Sequence, residues 1–141
     1  MRTSFETGRG ADTMGEAGST TLWKALAFAA VLECATAIAL LVVPTLVVSL
    51  LLGVEIAGIT VTVARCIGIA LLGLALACWP GRQAAVAGSP PFIGMLTYSA
   101  LMALYLAYCG AIAQLGGLML WPAVALHAAV ALLLLAIWRN G

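Results

Sequence analysis

The sequence predicts an all-α integral membrane protein, a four-helix bundle with a short interfacial segment between helices one and two. Hydrophobic residues form 65% of the chain and charged residues 8%, against roughly 45–50% and 25% in a soluble domain. Mean hydropathy is +1.17, so only lipid can cover most of the surface. Four apolar runs of about 20 residues each match a ~30 Å hydrocarbon core. The ~10-residue alternation of a β-barrel is absent from the sequence. At 141 residues the chain has room for one domain.

Met1 to Thr21 is rich in Gly, Ser, Thr and charge (Arg2, Glu6, Arg9, Asp12, Glu16), a composition that favours a disordered tail. Met14 is a candidate native start. The transmembrane domain is expected from Leu22 to Arg139. Span one runs from Leu22 to Val43 and is closed by Pro44. Ala35-Thr36-Ala37 resembles a signal cleavage site, but the apolar run continues to Val43, past the roughly 7–15 residues of a signal h-region. Thr45 to Gly58 is apolar but bounded by Pro44, Gly53 and Gly58. A run of about 10 residues is too short to span and suits an interfacial or re-entrant segment.

Span two is Ile59 to Trp79, closed by Pro80-Gly81. Arg82 to Pro91 reads as a loop, with Gly88-Ser89-Pro90-Pro91 as breakers. Span three is Phe92 to Gln114, closed by Gly116-Gly117, and span four is Trp121 to Trp138, followed by Arg139. Four spans put both termini and the loop after span two on one side. That side holds Arg2, Arg9, Lys24, Arg82 and Arg139, while 44–58 and 115–120 hold no Lys or Arg. The positive-inside rule then makes both termini cytoplasmic. Trp23, Trp79, Trp121 and Trp138 fall at span ends, where aromatic belts sit.

Small residues recur four apart: Ala64/Gly68, Gly73/Ala77, Ala103/Ala107/Ala111 and Ala125/Ala129. Such spacing lets helix backbones approach closely. Charge inside a span is costly and marks a functional candidate. Glu33 sits in span one, Arg65 in span two and His127 in span four. At ~1.5 Å per residue, Glu33 lies roughly 15 Å from the outer span end, and Arg65 and His127 roughly 9 Å. The predicted contact is Glu33–Arg65, with Gly68 leaving room beside the guanidinium. Tyr98, Tyr105 and Tyr108 share one face of span three. Tyr105 and Tyr108 reach the half that holds Arg65 and His127. The intramembrane polar cluster expected is therefore Glu33, Arg65, Tyr105, Tyr108 and His127. A buried Glu–Arg pair often only fixes helix register and neutralises two charges, and that structural reading is the leading one.

The net charge of +1 with singly scattered basic residues excludes a nucleic-acid face. Cys34, Cys66, Cys78 and Cys109 lack C-x-x-C spacing and companion histidines, so no metal site is expected. Cys34, Cys66 and Cys109 lie in the outer half and are the candidates for redox chemistry. No G-x-S-x-G, H-E-x-x-H, phosphate-binding glycine loop or paired acid motif occurs. No catalytic residue is assigned, and no motif identifies a cofactor.

Span one ending in Pro44, the short segment ending near Gly53, Arg65-Cys66-Ile67-Gly68 and Leu72-Gly73 resemble the DoxX-like group of small bacterial membrane proteins. The resemblance covers Leu22 to Trp79; spans three and four agree in number and length. Leu120-Trp121-Pro122 and His127 have no counterpart in that pattern. The resemblance implies a bacterial inner-membrane accessory subunit, attached in some relatives to thiol or sulfur redox systems. The leading expectation is a non-enzymatic structural or accessory subunit. Its partners would be the lipid bilayer and a second copy or another membrane subunit. A small-molecule binding or transport protein using the polar cluster as an intramembrane pocket, and a quinone- or thiol-linked redox subunit, are the alternatives.

Overall fold

The computed structural model describes residues 7–79 and 86–140, and the side chains of 20–79 and 86–139. Among the described residues the chain is helical: α1 (Thr7–Val42), α2 (Pro44–Leu52), α3 (Ile59–Ala77), α4 (Pro90–Ala111) and α5 (Leu120–Asn140). Four of these are long and apolar enough to cross a membrane: Thr20–Val42 within α1, α3, α4, and Leu120–Arg139 within α5. The four-span membrane bundle read from the sequence is the fold observed, with α2 as the short segment after span one.

Boundaries differ from expectation at three places. The expected tail of residues 1–21 is helical from Thr7 onward, while residues 1–6 lie outside the described chain. A helix already nucleated by its apolar part extends at the cost of one ordered residue per added hydrogen bond, and Ala11, Met14, Glu16 and Ala17 are good or tolerable helix formers. Pro90 and Pro91 open α4 instead of ending the loop before it. In a first turn the missing proline N–H removes no intrahelical bond. Ser89 before them is extended, at φ −66° and ψ 155°, as a residue preceding proline prefers. Finally, α4 stops at Ala111, not Gln114. Gln114 takes the left-handed conformation, φ 57°, and the Leu115 N–H closes back onto the Cys109 carbonyl at 3.0 Å, which satisfies one of the carbonyls left open at the helix end.

Two helix pairs make the bundle: α1 lies along α3, and α4 along α5. On α3 the line Ala64, Gly68, Leu71 and Ala75 is buried. A Cβ on Gly68 would stand 3.0 Å from the Ala37 carbonyl oxygen and 3.1 Å from Leu40 Cβ. The Ala64/Gly68 spacing therefore does bring two backbones together. Gly73 has nothing within 4 Å of such a Cβ and Ala77 is exposed, so among the described residues the Gly73/Ala77 pair packs against no other helix. The pairs join mainly through α1 against α5 and α4. One cluster of Leu22, Leu26, Cys78, Phe92, Met95 and Leu134 gathers all four spans at the end that holds the termini. Phe92 and Trp138 meet there edge to face, centroids 6.0 Å apart.

The opposite end is closed by backbone. Leu50 and Leu52, in the last turn of α2, offer carbonyls with no intrahelical donor, an arrangement costly in hydrocarbon. The Met119 and Gly116 N–H groups, in the α4–α5 connection, donate to them at 2.8 and 3.2 Å. Gly53, at φ 72°, ends α2, and a Cβ there would stand 2.7 Å from the Gly116 oxygen. Connections after α1 and after α4 thus meet at one end, as alternating spans require. Trp23, Trp79, Trp121 and Trp138 are each about half exposed near helix ends.

Candidate functional site: the Glu33–Tyr98–His127 cluster

Glu33 belongs to the inward line of α1, with Leu26, Ala30, Ala37 and Leu40, and is 5% exposed. A carboxyl group there needs hydrogen-bond partners, because burying even an uncharged polar group without them costs roughly 2–7 kcal/mol, and an ionised carboxylate far more. The partners come from the other helix pair. The Tyr98 hydroxyl on α4 donates to Glu33 Oε2 at 3.0 Å. On α5, His127 Nδ1 lies 3.9 Å from Glu33 Oε1, within reach of an ion pair once the imidazole is protonated but too long for a hydrogen bond. The Tyr98 and His127 rings meet edge to face, centroids 5.6 Å apart at 81°. Three helices thereby converge on one carboxyl group.

The predicted Glu33–Arg65 contact is absent. Arg65 is exposed and makes no ion pair among the described residues. It follows Ala64 by one residue, ~100° around the helix, so the face that buries Ala64 and Gly68 against α1 turns Arg65 outward. Gly68 does not make room for the guanidinium; its space is filled by Ala37, Leu40 and Leu41. Tyr105 and Tyr108 also stand apart from the cluster, 64% and 54% exposed and stacked on each other at 6.4 Å. The buried face of α4 runs through Phe92, Met95, Ser99, Leu106 and Cys109 toward α5. The tyrosines flank it, and only Tyr98 lies level with Glu33. Of the expected cluster the structure unites Glu33 and His127 and adds Tyr98. The seven-residue offset from Tyr98 to Tyr105 is visible in the sequence, but it does not say which member meets Glu33; in the structure that is Tyr98.

The four cysteines are free thiols: Cys78 and Cys109 buried, Cys34 partly buried and Cys66 exposed. No group of three His, Cys, Asp or Glu residues able to hold a metal occurs among the described residues. A cleft between α1 and α5, lined by Phe28, Leu32, Glu33, Ser99, His127 and Val130, leaves about 10 Å³ beside the carboxyl group. A second, open groove of about 350 Å³ lies at the α2 end between Thr45, Leu46, Ser49, Glu55 and Ile56.

No protein-family model, curated protein or solved structure matches this chain.

Proposed function

We propose that the chain is a non-enzymatic accessory subunit of a bacterial inner-membrane assembly, as its resemblance to the DoxX-like group implies, with both termini in the cytoplasm, as the distribution of Lys and Arg supports. The observation that carries this reading is Arg65. It sits six residues into a membrane-length helix, exposed, and makes no ion pair with a carboxylate among the described residues. A guanidinium at such a depth is costly and is normally paired. The exposed surface of α3 mixes large aliphatic residues, Val63, Ile67, Ile69 and Leu76, with the small or polar Thr62, Cys66, Ala70, Gly73 and Ala77, and the small positions are where a second helix packs closely. The Glu33 cluster fits the same reading. It links the two helix pairs, and the cleft beside it falls far short of the ~300–1,000 Å³ of a small-molecule site.

Native mass spectrometry of the chain extracted from its own membranes tests the proposal. The wild type is expected with a second copy or a second membrane protein, and Arg65→Met as a folded monomer. A wild-type chain that is monomeric and carries no protein partner defeats the proposal. Orientation is tested separately by a reporter at Gly141, expected to be active only in the cytoplasm.

A further inference from the structure

Between Glu33 and His127 the distances leave place for one more oxygen. Glu33 Oε2 already accepts from Tyr98, whereas Oε1 faces His127 Nδ1 across 3.9 Å. That gap exceeds the ~2.7–3.2 Å of a direct hydrogen bond. One oxygen atom placed to the side of the gap lies within hydrogen-bond distance of both. The cleft between α1 and α5 opens on this spot, and its polar lining is Glu33, Ser99 and His127. Its volume, about 10 Å³, is the lower bound for one water, which needs two to four polar partners. Its remaining walls are apolar: Phe28, Ala29, Leu32, Leu126 and Val130. Phe28 is 55% exposed, so the mouth of the cleft opens on the lipid-facing side of the bundle.

We propose that this cleft binds a single hydroxyl group that bridges α1 and α5. Its oxygen accepts a hydrogen bond from His127 Nδ1–H, its proton is donated to Glu33 Oε1, and the Ser99 hydroxyl borders it. Only a group that both donates and accepts satisfies an imidazole N–H and a carboxyl oxygen at once. The hydroxyl belongs either to water or to the head of a membrane-dissolved alcohol whose chain lies between Phe28 and Val130. The site does not rest on Arg65, which carries the subunit reading, because it involves no residue of the α3 surface.

His127 is the chain's single histidine, so its signal needs no assignment. The test is solid-state NMR of the ¹⁵N-histidine-labelled full chain in perdeuterated phospholipid bilayers, with and without protonated hexadecanol. Magnetisation is expected to reach Nδ1 from water in alcohol-free bilayers. If it still does so after hexadecanol is added, the hydroxyl is water. If the transfer then comes from the alcohol's first methylene, the site takes an alcohol head. The proposal is overturned if Nδ1 receives magnetisation from neither source. It is also overturned if the transfer is undiminished in a folded Ser99→Val chain, whose extra carbon fills the cavity. The wild-type measurement decides alone should that variant not fold.

Discussion

At the residue scale the molecule is organised around one carboxyl group. Glu33 is buried where apolar neighbours would suffice to fill space; the Tyr98 hydroxyl on α4 donates to it, and His127 on α5 faces it at 3.9 Å. Interhelical hydrogen bonds in membranes contribute modestly, about 0.6 kcal/mol on average and up to about 1.7. Tyr98→Phe is therefore expected to lower stability by about 1 kcal/mol in reversible unfolding from mixed micelles. Tyr105→Phe and Tyr108→Phe, whose rings are mostly exposed, should leave the midpoint unchanged. Combining Glu33→Leu with Tyr98→Phe should be less harmful than Glu33→Leu alone, because the single change leaves a buried hydroxyl without its acceptor. Equal losses for the three tyrosine variants would show that the Tyr98–Glu33 bond contributes nothing. Glu33 and His127 were legible in the sequence because polar groups stand out in apolar runs. Depth along a helix can be counted at ~1.5 Å per residue. The direction each side chain faces cannot, because it depends on which neighbour takes which face. That is why the sequence places Arg65 against Glu33, whereas in the structure it turns outward from α1.

At the element scale, glycine separates the faces of α3. Gly68 lies where a Cβ would press on the Ala37 backbone at 3.0 Å, while Gly73 faces open space. Gly68→Val is expected to cost about 1–3 kcal/mol, as overpacking does, and to weaken α1–α3 pairing. Gly73→Ala should be neutral or stabilising by up to about 1 kcal/mol in the isolated chain, because alanine is the better helix former. In native membranes the same Gly73→Ala change also reads the proposed outward contact, through loss of the partner in native mass spectrometry. The α2 end supplies a second test. A Cβ on Gly117 would collide with the Leu50 carbonyl, the same group that accepts from Met119. Gly117→Ala should therefore cost at the upper part of that ~1–3 kcal/mol range, read by the same unfolding measurement. Spans were legible as elements because length and hydropathy select a membrane helix almost alone. Their ends were less so. Pro90-Pro91 signals both a loop and a first turn, and the stop after Ala111 comes from Gln114 in a conformation usually left to glycine or asparagine.

At the scale of the whole molecule, the bundle is two hairpin-like pairs with a thinner joint between them. Helices α1 and α3 form one pair and α4 and α5 the other. The joint holds the Tyr98–Glu33 bond, the His127 contact, the terminal-end apolar cluster and the two backbone bonds from the α4–α5 connection to α2. Each half carries two membrane-length helices, and transmembrane helices inserted separately associate through packing and interhelical hydrogen bonds. The chain divided between α3 and α4, as fragments 1–84 and 85–141, is therefore expected to reassemble when both are expressed in one membrane. A tag on either fragment should recover the other. Tyr98→Phe in the second fragment should weaken recovery several-fold, about 1 kcal/mol being a factor of about five in an association constant. Gly117→Ala should weaken it further, because the backbone bonds at Leu50 and Leu52 also cross the joint. Gly68→Val acts within one fragment, so it should loosen α1 from α3 and reduce recovery only to the extent that the Glu33 face is displaced. Unchanged recovery with both Tyr98→Phe and Gly117→Ala would locate the joint's strength in the cluster around Leu26, Phe92, Met95 and Leu134. Reassembly by apolar packing alone would then leave the Glu33 cluster without a part in holding the pairs together.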